Sequence, residues 1–259
     1  MTSNYLDYIF GLSGKTALVV GAGGHICSQI ARGFSNAGAR VFVADIRISK
    51  AELVANEINL LQNNSAIPVE LDASKKESFV EFLKQFENEN IDILVNGAGI
   101  NSAKPILEIE ISEWNEVFNS QLTATLFGCQ VIGEHMIRNG SGSIINISSA
   151  SADPALSKAF PYSAAKAGIR NLTQNLGREW ATRNVRVNAL RPGFFPTDWN
   201  RKNFITPERE KAILDHTPMK RFGIPEELAP AAIFLASRAS SFITGSELIV
   251  DGGFSAMTI

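Results

Sequence analysis

The sequence is poor in the residues that build metal centres and disulfide frameworks. It has two cysteines, Cys27 and Cys129, and three histidines, His25, His135 and His216, too scattered to form the closely spaced set that holds zinc. No metal is expected, and separated thiols suit a reducing compartment, so the expected location is the cytoplasm. Excess charge is also missing: 24 Lys and Arg face 26 Asp and Glu, for a formal net charge of −2. Without a broad basic surface, neither nucleic acid nor an anionic membrane is the expected partner. No apolar run reaches the roughly 20 residues that span a bilayer. The N-terminal MTSNYLDYIFGLSGK lacks the basic region and apolar stretch of a secretion signal. A small-molecule ligand remains.

What the chain does have is apolar material, 45% of 259 residues with 19% charged, enough for a large core covered on both faces. Short β-branched runs recur with helical segments between them: TALVV (16–20), RVFVAD (40–45), IPVELD (67–72), DILVNGAG (92–99), SIINISS (143–149), VRVNALRPG (185–193) and ELIVDGG (247–253). Several are apolar throughout, as strands buried on both faces are. The pattern predicts an α/β fold, one doubly wound parallel sheet of about seven strands with helices on both faces. Ile26, Ile30, Ala31 and Phe34 fall on one helical face directly after a cluster of glycines. A long helix is expected over 114–138. Nothing divides the chain, so residues 1–259 are read as one domain, with an irregular stretch at 196–227 placed to act as a substrate lid.

The glycine cluster reads GAGGHIC (21–27) and opens the first predicted helix after a strand. Backbone amides at a helix N-terminus attract a pyrophosphate, which makes Gly21, Gly24, His25 and Ile26 candidate binding positions. Taken alone, such a turn serves an ordinary tight bend as often as a nucleotide. Asp45 ends the second run about twenty residues on, where a carboxylate accepts from ribose hydroxyls and repels a 2′-phosphate. This favours NAD over NADP, although the neighbouring Arg47 leaves room for a phosphate.

In NISSASADPALSKAFPYSAAKAG (146–168), Tyr162 and Lys166 are four residues apart and share a helix face. A free phenol with a pKa of about 10 is a poor base, and a nearby ammonium favours the phenolate. Ser149, thirteen residues before Tyr162, is placed to donate to a substrate oxygen. An isolated Tyr and Lys one turn apart is usually a surface pair. Here NGAG (96–99), RPGFFPT (191–197) and ITGSELIVDGGF (243–254) occur in order with it. Together they resemble the short-chain dehydrogenase/reductase family over nearly the whole chain.

The resemblance implies a Rossmann-type fold, a nicotinamide cofactor and hydride transfer between an alcohol and a carbonyl. It implies Asp72 and Ala73 near the adenine, and Asn96 and Ala98 along the cofactor. Tyr162 and Lys166 would hold the nicotinamide ribose, with Pro192, Gly193, Phe195 and Thr197 near the nicotinamide ring. A homotetramer or homodimer is the implied assembly. The chain departs from the family pattern at Val20, His25 and Cys27, which replace a threonine and two glycines. Gly97 replaces an asparagine, and Gln121 stands for the asparagine that organises a proton-relay water, making it either a catalytic residue or a plain polar helix residue. GAGGHIC, RPGFFPTDWNRKNF and HTPMKRFGIPEEL look like the branch acting on sugar acids, including fructuronate reductase and gluconate dehydrogenase types. For such a substrate the candidates are Asn101, Ser151, Arg191, Trp199, Asn200 and Arg201. Equally, Arg191 pairs with local backbone and Trp199 is lid core. Two alternatives stand beside this reading: a dinucleotide-binding regulator with weak turnover, and a dehydrogenase of a non-sugar secondary alcohol.

Overall fold

In the computed structural model, which describes residues 4–62, 64–153, 156–157, 159–197 and 205–257, the seven apolar runs all contain strands. They are β1 Thr16–Val20, β2 Arg40–Asp45, β3 Ala66–Glu70, β4 Ile93–Asn96, β5 Gly142–Ile147, β6 Val185–Pro192 and β7 Glu247–Val250. They form one parallel sheet in the order β3-β2-β1-β4-β5-β6-β7. From β1 the chain runs outward to β3, then returns to β4 on the other side of β1. That reversal opens a crevice at the carboxyl ends of β1 and β4, where sheets of this kind bind ligands. β4 and β5 end before the glycines and serines of their runs, which leaves Gly97–Gly99 and Ser148–Ser149 in loops at the crevice.

The helices are α1 Tyr5–Phe10, α2 His25–Asn36, α3 Ile48–Leu61, α4 Lys76–Gln85, α5 Ile111–Phe118, α6 Ala124–Arg138, α7 Phe160–Trp180, α8 Pro207–His216 and α9 Leu228–Ala236. Successive strand residues point to opposite faces. Ala17, Val19, Val41, Val43, Ile93 and Val95 pack on Ile30 and Phe34 of α2 and on Leu228 and Ala232 of α9. Their neighbours Leu18, Val20, Phe42, Ala44 and Leu94 pack on Phe79 and Phe82 of α4 and Ile132 and Met136 of α6. Burial on both faces accounts for the unbroken apolar strands. Among the described residues, no helix is long and apolar enough to cross a membrane.

The helix expected over 114–138 is interrupted. A π-helical turn, Asn119–Thr123, joins α5 to α6 and carries the buried Gln121. One inserted residue of this kind re-aims a side chain without ending the helix. Of the 196–227 stretch, α8 is capped by Thr206, whose Oγ1 accepts from the Arg209 amide at 3.2 Å. Its last residue, His216, meets the Phe254 ring at 4.7 Å between centroids, and Phe254 meets Phe194 at 5.1 Å.

Candidate active site

The turn between β1 and α2 lies flat against the loop after β4. Gly21 has φ +78°, and a Cβ there would stand 2.9 Å from the Ala98 backbone, so glycine is required. Gly24 caps α2, leaving the amides of His25, Ile26 and Cys27 in its first turn, where none has an intrahelical acceptor. The His25 side chain is exposed at this helix end. Asp45, only 6% exposed, braces the turn: its Oδ2 accepts from the Gly23 amide at 3.1 Å and its Oδ1 from the Arg47 amide at 3.0 Å. Arg47 Nε lies 3.8 Å from the same Oδ1. The free first-turn amides of α2 are suited to an anion.

On the adenine side, the Asp72 carboxylate accepts from the Ser74 amide at 3.1 Å and from Ser74 Oγ at 2.6 Å, and pairs with Lys75 at 3.1 Å. Burial works to raise the Asp72 carboxyl, but the bonds from Ser74 and Lys75 outweigh it and hold it below the usual range. Ala73 is buried beside it. The Asn96 side chain is turned into the interior. Its amide donates to Asn146 Oδ1 at 2.9 Å and to Cys129 Sγ at 3.5 Å, and Asn146 donates to Thr173 Oγ1 at 2.9 Å. The side chain thus ties β4 to β5 and α7 in the interior, because a buried amide must find internal partners.

Two departures from the family pattern explain each other. A Cβ at Gly97 would overlap the sulfur of Cys27, so the side chain missing at Gly97 makes the space that Cys27 fills. Burial pushes the Cys27 thiol up to about 12, with Lys166 opposing and Asp45 adding to the rise. It is an inert packing group rather than a nucleophile.

α7 starts with Phe160 and Pro161, so Tyr162 lies in its first turn and Lys166 one turn later. Lys166 is 4% exposed, its Nζ donates to the Ile147 carbonyl at 2.6 Å, and it stands 5.5 Å from the Tyr162 ring centroid. The Ser149 side chain lies near enough to the Tyr162 phenol to draw its pKa down. Ser149 Oγ also accepts from the amide and the hydroxyl of Ser151, each at 3.1 Å. The structure therefore brings Ser149, Tyr162 and Lys166 together at the carboxyl end of β5.

Their protonation differs from the expectation that the ammonium alone makes the phenol acidic. Burial pushes the Tyr162 phenol above its ordinary value, and Ser149 pulls it only part of the way back. Burial also brings the Lys166 ammonium down to about 8, with Cys27 opposing. Each group loses hydration, and each therefore leans toward its neutral form.

Gln121, 3% exposed, donates from Nε2 to the Ile100 carbonyl at 2.8 Å, while its Oε1 is buried with no partner among the described residues. It presses on Gly99 (φ +146°), where any side chain would strike the amide. Gln121 thus fastens the loop that follows β4. Pro192 and Gly193 end β6, with the Gly193 amide donating to the Val250 carbonyl at 2.9 Å. Phe195 lines a cavity of about 410 Å³ with Phe194, Met219, Arg221 and Gly252, which the catalytic side chains do not line. Thr197 is partly buried just before the end of this described segment.

The candidate substrate residues divide. Asn101 is exposed on the loop after β4. Ser151 is buried and spends its bonds on Ser149. Arg191, 3% exposed, pairs with Glu247 at 3.2 Å and donates to the carbonyls of Ala150 (3.5 Å) and Asp153, in keeping with the backbone-pairing alternative. Trp199, Asn200 and Arg201 lie outside the described residues. Glu247 was not among the sequence candidates; the signal was an acid opening an otherwise apolar strand, ELIV.

A family model described as enoyl-(acyl carrier protein) reductase matches residues 21–255. D-threitol dehydrogenase of Mycolicibacterium smegmatis is 34% identical over 252 residues, covering 96% of this chain and 96% of the relative. Gluconate 5-dehydrogenase of Gluconobacter oxydans is 33% identical over 249 residues, covering 95% and 96% respectively. Among solved structures, gluconate 5-dehydrogenase from Burkholderia cenocepacia in complex with NADP and tartrate superposes with a TM-score of 0.93 at 34% identity, over 98% of this chain and 100% of that one. With the sheet order, the glycine turn and the serine, tyrosine and lysine cluster, these matches make the chain a member of the short-chain dehydrogenase/reductase family of nicotinamide-dependent oxidoreductases.

Proposed function

We propose that the protein interconverts a secondary alcohol and a ketone on a sugar or sugar acid, with NAD as its preferred cofactor and Tyr162 as the proton carrier. The observation that carries this reading is the convergence of Tyr162 and Lys166, one helical turn apart on α7, on the end of β5 that Ser149 follows, with Lys166 bonded to the Ile147 carbonyl and 5.5 Å from the Tyr162 ring. Relatives named for threitol and gluconate support a polyol or its acid as substrate. A relative bound to NADP makes cofactor choice a matter of side chains rather than of fold. Here the buried Asp45 carboxylate stands where a 2′-phosphate would approach, and this supports NAD.

The first-turn amides of α2, at His25 and Ile26, would hold the pyrophosphate, Asp45 the adenosine ribose, and Asp72 and Ala73 the adenine edge. Tyr162 and Lys166 would hold the other ribose, beside Ala98, Pro192, Gly193, Phe195 and Thr197. A bound nicotinamide ring supplies the hydride acceptor or donor. In reduction, the neutral Tyr162 phenol gives its proton to the carbonyl oxygen while Ser149 steadies that oxygen. In oxidation, Tyr162 must first lose its proton, so the rate rises with pH. The unpartnered Oε1 of Gln121 supports a role for that residue in binding a relay water. Exposed Ile106, Leu107 and Ile111, with the open edge of β7, support assembly into a homodimer or homotetramer.

The test is NADH and NADPH formation from D-gluconate, D-threitol and galactitol by the wild type and Tyr162→Phe, with NAD binding measured in parallel. The wild type is expected to turn over at least one substrate, faster with NAD. Tyr162→Phe should lose at least about a hundredfold in kcat and still bind NAD. Tight NAD binding with no turnover across the panel supports a regulator instead, and faster turnover with NADP overturns the cofactor assignment.

A further inference from the structure

Ser149 does not end a strand. It caps a 3-10 turn, Ala150–Ala152, whose amide at Ala152 donates to the Ser149 carbonyl at 3.0 Å. Two carbonyls of this segment, Ala150 and Asp153, are taken by the Nη2 of Arg191 on β6. The Nη1 of Arg191 pairs with Glu247 Oε2 at 3.2 Å. The β6–β7 register sets that pair: Glu247 lies opposite Ala189, two residues from Arg191 and on the same face. Arg170, two turns of α7 after Tyr162, closes the ring, with its Nε 3.5 Å from Glu247 Oε2 and its Nη1 3.3 Å from Asp153 Oδ2.

The ring is costly for stability alone. Arg191 Nε and Glu247 Oε1 are buried with no partner among the described residues, and both residues border a cavity of about 480 Å³. A buried ion pair so incompletely satisfied adds little net stability. What it fixes is where the chain runs after Ser149.

We propose that Arg191 is a positioning residue for the reaction, holding the Ala150 and Asp153 carbonyls so that the Ser149 hydroxyl meets Tyr162, with Glu247 and Arg170 fixing its guanidinium. The proposal rests on the roles given above to Ser149 and Tyr162, and not on the identity of the substrate.

The first test needs no substrate. In protein labelled with carbon-13 at the tyrosine phenol carbon, the Tyr162 resonance, assigned by its loss in Tyr162→Phe, reports the hydrogen bonding of the hydroxyl. Ser149→Ala is expected to move it, Arg191→Gln to move it in the same direction, and the double variant to move it no further. On any alcohol the wild type oxidises, Arg191→Gln should lower kcat about tenfold to a hundredfold, with KM for NAD within about twofold. In a Ser149→Ala background the same change should cost less than about twofold, because the residue it positions is gone. Arg170→Gln, at a side chain 39% exposed, spares the fold and should give the same pattern with a smaller shift, so it carries the test if Arg191→Gln unfolds. An unmoved resonance in both variants, or equal losses in the two backgrounds, overturns the proposal. If Ser149→Ala itself changes neither resonance nor kcat, the site assignment falls and this proposal with it; if only the arginine variants are silent, the tether alone falls.

Discussion

Adding one methyl group at Gly97 tests whether Cys27 and Gly97 are a matched pair. In Gly97→Ala the new Cβ would stand 3.2 Å from Ile147 Cγ1 and 3.3 Å from the Val20 carbonyl oxygen, and far inside 3.0 Å of the Cys27 sulfur. The first two contacts are tight but tolerable. The third requires Cys27 to move, and Cys27 is buried in the first turn of α2. Overpacking of this kind costs about 1–3 kcal/mol. At roughly 2–4 °C per kcal/mol for a chain of this size, the melting temperature should fall by about 2–12 °C. Cys27→Ala removes the sulfur and should cost about 1 kcal/mol alone. In the double variant the methyl occupies the vacated space, so the two losses should fail to add by at least about 1 kcal/mol. Thermal unfolding of the four proteins by circular dichroism reads the cycle, and NAD titration should show weakened binding in Gly97→Ala alone, because moving Cys27 disturbs the amides proposed to hold the pyrophosphate. Additive losses, or an unshifted Gly97→Ala, would sink the argument.

Two further outcomes follow from other parts of the site and fold. Asp45→Asn removes the charge facing a 2′-phosphate while keeping an acceptor for the Gly23 amide, so the kcat/KM ratio of NADP to NAD should rise about tenfold, or by about 1.4 kcal/mol; an unchanged ratio would show that Asp45 only braces the turn. His135 Nε2 accepts from the Ile91 amide at 3.2 Å, and burial, with help from Arg138 and against Asp92, holds its pKa below that of an ordinary histidine. The folded state therefore favours the neutral ring: its contribution is complete above the unfolded value and drains away as pH falls through the lowered one. Urea midpoints measured across that window should decline more steeply in the wild type than in His135→Gln, and parallel declines would contradict the assignment.

The inner strands were legible because they are buried on both faces, and β1 to β7 fall on the seven runs with their ends shifted by a few residues. Tyr162 and Lys166 were legible because a spacing of four residues puts both on one helix face, and Ser149 through its place in the family pattern after β5. What the sequence did not reveal were the consequences of non-local packing. The π turn at Asn119–Thr123 leaves no mark on hydropathy, because one inserted residue does not change which side chains are apolar. The commitment of Arg191 to Glu247 depends on a register between strands more than fifty residues apart in the chain. The raised phenol depends on burial, which spacing alone does not report. Asn96 was assigned through the family resemblance, and its side chain is aimed by partners on β5 and α6, which the resemblance does not report.

The bond from Lys166 to the Ile147 carbonyl joins α7 to the last residue of β5, so all three reacting side chains hang from one pair of fastened elements. The helix that follows β6, by contrast, is stacked through His216 on Phe254. Disturbing that ring stack is therefore expected to leave the Lys166–Ile147 fastening, and with it the relative placement of Ser149, Tyr162 and Lys166, intact.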